Sequence, residues 1–95
     1  MEEYPDIEGS PVAFTLQERK LILCLPSLDA DTEKQFRLGR IRGNSVAVRL
    51  NAYNIYELLE RIASVASHAK NMGVRSRLHR LHRKVSRIFD AQFPT

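Results

Sequence analysis

The sequence predicts an α+β, mainly α domain made of two short helices, a β-hairpin and then a long antiparallel helical hairpin. Three observations carry that prediction. The tetrapeptide Thr15-Leu16-Gln17-Glu18 has the form of a capping box and opens a helical stretch that Pro26 stops. Alternating β-branched residues on either side of Gly43-Asn44 read as two strands joined by a two-residue turn. Two apolar stripes at helical spacing, Ile55 to Ala69 and Leu78 to Ile88, flank the breaker Asn71-Met72-Gly73.

Residues 1–10 hold four acids with Pro5, Gly9 and Ser10 and no periodicity, so they are expected to be a disordered acidic leader before a single domain over 11–95. Pro11 to Phe14 reads as a short extended entry. In the capping box the Thr15 hydroxyl accepts from the Glu18 amide and the Glu18 carboxylate accepts from the Thr15 amide, and a helix over 16–25 follows. Ser27 or Asp29 caps a second helix, with Asp29, Asp31 and Glu33 near the positive end of its dipole and Gly39 at its end.

In the hairpin, Arg42 is expected opposite Ser45 and Ile41 opposite Val46. Ile41, Val46, Val48 and Leu50 then share the face that covers the helices. Asn51 caps a third helix carrying Ile55, Leu58, Leu59, Ile62, Ala66 and Ala69. Gly73 is expected in the left-handed position past its end. The last helix, 74–91, carries Leu78, Leu81, Val85 and Ile88, and so short a connection makes the two helices antiparallel.

Composition bounds the function. A chain of 95 residues, 43% hydrophobic and 27% charged, is one ordinary globular domain. Its longest apolar run, Leu21 to Leu25, is far below the roughly 18 residues that span a bilayer, so no membrane partner is expected. The acidic N-terminus lacks the basic and apolar regions of a signal peptide, and the expected location is cytoplasmic. The single cysteine, Cys24, sits inside that run and is expected to be a buried apolar filler.

The net charge of +4 is unevenly placed. Residues 1–50 hold seven Lys/Arg against eight Asp/Glu, whereas residues 51–95 hold eight against three. Seven of those basic residues, Lys70, Arg75, Arg77, Arg80, Arg83, Lys84 and Arg87, fall in an eighteen-residue stretch without a single acid. Arg77, Arg80, Lys84 and Arg87 repeat the three-four-three spacing of the apolar stripe one residue earlier, which sets them about 100° around the helix as a cationic ridge. Such a ridge marks a surface for a polyanion or an acidic protein.

Other chemistries find no residues. A helix-turn-helix around Ala69 to Gly73 needs apolar residues at the sixth and ninth positions after the glycine, and His79 and His82 stand there. His68, His79 and His82 lack a nearby thiolate or carboxylate and lie among arginines, so no metal site is expected. Glu57, Glu60 and Asp90 form no acid/base pair, Glu57 and Arg61 being a helical i, i+4 ion pair. No catalytic residue and no cofactor is predicted.

The stretch Phe14 to Arg19 and the run from Val46 to Phe89 resemble a small uncharacterised bacterial domain. That domain has a capped helix, a short strand, a long helix with a small-residue segment like Ala63-Ser64-Val65-Ala66-Ser67-His68-Ala69, and a second Leu-patterned helix. The sequence departs from it in having Asn51 where a Thr cap is usual and in the basic density of the last helix. The resemblance implies the order of the elements and transfers no functional residue.

Together these features predict a non-enzymatic interaction module. It is expected either to form a homo-oligomer or to bind an acidic protein partner through the basic hairpin, with the three-four-three stripe as a seam between chains. The alternative is sequence-independent nucleic-acid binding by the ridge.

Overall fold

The computed structural model describes residues 11–92; the acidic leader read over 1–10 lies outside the described residues. The chain runs β1 (Pro11–Thr15), α1 (Leu16–Leu23), α2 (Ala30–Arg37), β2 (Arg40–Arg42), β3 (Ser45–Arg49), α3 (Ala52–His68) and α4 (Met72–Gln92). This is the α+β, mainly α architecture expected, with α3 and α4 packed as a hairpin. No described helix is long and apolar enough to cross a membrane.

The extended entry is a strand in its own right. β1 pairs antiparallel with β3 from Pro11 opposite Arg49 to Thr15 opposite Ser45, giving the order β1-β3-β2 with β3 central. Val12 and Phe14 point inward while Pro11, Ala13 and Thr15 face out, the period of two of a half-covered strand. Pro11 has no N–H to donate and sits at the first position of an edge strand, where that loss is harmless.

β2 and β3 pair in the expected register, Arg42 with Ser45 and Ile41 with Val46. Gly43 has φ +61 and Asn44 a negative φ, the pattern of a II′ hairpin turn with glycine at its first central position. The expectation that Ile41 is covered fails: it is 55% exposed although its partner Val46 is fully buried. β2 is a three-residue edge strand, and the helices pack over β1 and β3 instead.

α1 starts as expected, with both arms of the capping box formed: Glu18 N–H to Thr15 Oγ1 at 3.0 Å and Thr15 N–H to Glu18 Oε1 at 2.8 Å. It ends at Leu23, two residues early. Pro26 disfavours helical backbone at Leu25, and the chain turns through Ser27 at φ 60. Cys24 is consequently exposed rather than buried: Ile22 and Leu25 take the inward positions on either side of the helix end.

Asp29, not Ser27, caps α2, its Oδ2 accepting from the amides of Asp31 at 3.0 Å and Thr32 at 3.2 Å. α2 drives Phe36 into the core, its ring 5.1 Å from that of Phe14. Arg19 of α1 donates through Nε to the Phe36 carbonyl at 3.0 Å and satisfies the C-terminal end of α2.

α3 opens with a second capping box, Asn51 with Asn54. Asn54 is buried, and its amide nitrogen donates to Thr32 Oγ1 and to Asp31 Oδ2, each at 3.0 Å, so this polar joint inside the core is fully bonded. The reading of Gly73 is corrected. α3 ends in an extended Ala69, and Asn71 caps α4 by accepting from the Val74 amide at 3.1 Å. Gly73 lies within the first turn of α4 and has no positive φ. An asparagine cap two residues upstream leaves the left-handed position unneeded. Ile55, Leu58, Ile62 and Ala66 of α3 meet Leu78, Leu81 and Val85 of α4, and the same core continues into Val12, Phe14, Val46 and Val48 of the sheet.

Candidate functional site

The apolar spacing of α4 decides where its cations go. Leu78, Leu81 and Val85 are buried, which turns Arg77, Arg80, Arg83 and Arg87 outward over roughly a third of the helix circumference. All four are exposed, and none forms an ion pair with a described residue. From Arg77 to Arg87 the row extends roughly 15 Å at 1.5 Å per residue. The whole apolar stripe is consumed inside the protomer, with Ile88 partly buried against the same core.

Not every residue of the predicted cationic set is free. Lys84 Nζ lies 2.8 Å from Glu18 Oε1 and 5.0 Å from the centroid of the Phe14 ring, with side chains 34% and 26% exposed for the ion pair. The same Glu18 oxygen accepts from the Thr15 amide, so one carboxylate both caps α1 and fixes α4 against it. Arg75 turns back to the end of α3, donating through Nη2 to the Ala69 carbonyl at 2.8 Å, while its buried Nε has no partner among the described residues. Lys70 is exposed in the connection between α3 and α4. The structure therefore separates the seven cations into an outer row of four arginines unpaired with described residues, Lys70 beside the turn, Lys84 tied to α1 and Arg75 tied to the end of α3.

Beside the row, on the flank of α4 away from α1, a groove of about 530 Å³ runs between α3 and α4. Its α3 wall is made of small side chains, Ala63, Ala66 and Ser67. The α4 wall carries His79, His82, Arg83 and Ser86, with Arg87 at the rim. No carboxylate among the described residues lines it, and Arg83 and Arg87 belong to both the groove and the outer row.

The groove was missed from sequence, although its signal was present: the small-residue segment of α3 leaves space opposite the His79 and His82 pair on α4. The sheet also holds cations that the charge count hid. Register places Arg40, Arg42 and Arg49 on the open outer face, opposite the face that buries Val46 and Val48. Acids gather instead at the N-terminal end of α2, as Asp29, Asp31 and Glu33, with Glu57 and Glu60 along the first half of α3. There the Asp29 carboxylate beside Tyr53 is the main reason that phenol is held above its ordinary range, and Glu60 does the same for Tyr56 through a hydrogen bond. No protein family, curated protein or solved structure matches the chain.

Proposed function

We propose that the protein is a non-enzymatic module that binds the sugar-phosphate backbone of nucleic acid, without reading its sequence, through the outer arginine row of α4. One observation carries this reading: Arg77, Arg80, Arg83 and Arg87 stand exposed and unpaired with any described residue, with no acid between them along α4, where Asp90 beyond Arg87 is the first. Arginine offers a planar fork of donors that matches phosphate bidentately and stays charged at every working pH. Four such heads over roughly 15 Å face about four phosphates of a strand that rises ~3.4 Å per nucleotide. Self-association through the apolar stripe loses its support, because that stripe is buried within the protomer. A cytoplasmic setting fits the reading.

Fluorescence anisotropy with labelled duplex and single-stranded oligonucleotides at low salt tests it. The protein is expected to bind both, and Arg77→Gln with Arg80→Gln and Arg87→Gln is expected to weaken both while the fold stays intact. Lys84 is left in place because it pairs with Glu18. Absence of binding to either oligonucleotide would overturn the reading and leave the arginines to an acidic protein surface.

A further inference from the structure

The outer row holds a backbone; the groove beside it has the chemistry to hold what the backbone carries. We infer that the cleft between α3 and α4 accepts an unpaired nucleobase, which makes the module selective for single-stranded nucleic acid over duplex. This inference rests on the reading of the arginine row given above.

Four features argue for it. The volume of about 530 Å³ lies within the ~300–1,000 Å³ of small-ligand sites. Ala63 and Ala66 present an apolar wall without long side chains, which a flat ring can approach closely. Across it stand two imidazoles, His79 and His82, and the guanidinium of Arg83, the planar groups on which unstacked bases lie in single-strand recognition. Finally, among the described residues the lining has no carboxylate to repel an incoming phosphate, and Arg83 and Arg87 sit between groove and row. A strand whose phosphates follow the row therefore passes along the groove's rim. A duplex keeps its bases stacked inside and cannot offer one to the cleft without the cost of flipping it out.

The test compares three labelled probes of one length in fluorescence anisotropy: a single strand, the same strand with abasic sites throughout, and a duplex. Each is measured against the wild-type protein, Ala63→Leu and His79→Ala. Ala63 and His79 are both exposed, so neither change disturbs the core. Thermal melting of each variant confirms the fold. The expected result is that the wild type binds the intact single strand roughly tenfold more tightly than the abasic strand, the scale of one stacked base. Ala63→Leu fills the cleft while keeping every cation, so it is expected to bring the intact strand down to the abasic level and leave the abasic affinity unchanged. His79→Ala is expected to lie between. Equal affinity for intact and abasic strands, or an Ala63→Leu protein that still separates them, would overturn the groove while leaving backbone binding by the arginines standing. No binding to any of the three probes would overturn both.

Discussion

Gly39 follows the end of α2, as the sequence led one to expect, and the structure requires glycine there for room. It has no positive φ, and a Cβ built on it would lie 2.6 Å from Val46 Cγ2 and 3.1 Å from Val48 Cγ2. Both valines are fully buried, so they have little freedom to move aside. Gly39→Ala is expected to destabilise by about 1–3 kcal/mol through overpacking, read as a lower denaturant midpoint. An unchanged midpoint would mean β3 can shift against the helix end. Tyr53 offers a second test at this scale, since its hydroxyl donates to Asp29 Oδ1 at 3.3 Å and the carboxylate disfavours the phenolate. Asp29→Asn keeps a good N-cap but removes the charge, so ultraviolet titration is expected to show the Tyr53 midpoint falling toward its ordinary ~10. The Tyr56 midpoint, held up by Glu60, is expected to stay. Neither contact could be read from spacing, because Gly39 with Val46 and Asp29 with Tyr53 meet only once the chain has folded.

The helices were legible where local chemistry specifies them. Thr15 with Glu18 defined the start of α1, and the spacing of Ile55, Leu58 and Ile62 defined α3 and its buried side. Ends were less legible. Pro26 stopped α1 two residues early through its effect on the preceding residue, and Asn71 moved the start of α4 ahead of Gly73. β1 carries only two inward apolar residues, Val12 and Phe14, too few for periodicity to name its partner strand. At the α1–α4 junction, Glu18 serves the capping box and Lys84 at once, and a double-mutant cycle separates the two roles. Lys84→Met is expected to cost about 1 kcal/mol, combining a half-exposed ion pair with a cation–π contact. Glu18→Ala is expected to cost more because it also removes one arm of the cap. Additive losses in the double variant would show that Lys84 and Glu18 do not act together. Leu81→Ala lies deeper, at 2% exposure, and is expected to cost about 2–5 kcal/mol, whereas Arg83→Ala on the outer face costs within ~0.5 kcal/mol. Equal melting temperatures for that pair would contradict the packing face of α4.

Across the whole molecule, charge is sorted by the same packing that builds the core. Burying one stripe of α4 leaves its arginines outward, and burying one face of the sheet leaves Arg40, Arg42 and Arg49 on the other. The cationic ridge was legible in sequence as a spacing. Its membership was not, because the pairing of Lys84 with Glu18 and the turning back of Arg75 to Ala69 join residues from separate elements or across a turn. The groove was illegible for a related reason: small residues on α3 become a wall only when α4 lies beside them.

The salt dependence of binding tests the role of the arginine row most directly. Each phosphate that a guanidinium neutralises releases counterions, so log affinity for duplex falls against log salt by about 0.9 per contact, and for single strands by about 0.7. Comparison of the wild type with the protein carrying Arg77→Gln, Arg80→Gln and Arg87→Gln removes up to three such contacts. The expected result is a slope shallower by up to about 2.7 on duplex and about 2 on single strands, with little dependence on base sequence. Identical slopes for the two proteins, or affinity that does not change with salt, would contradict binding through this face.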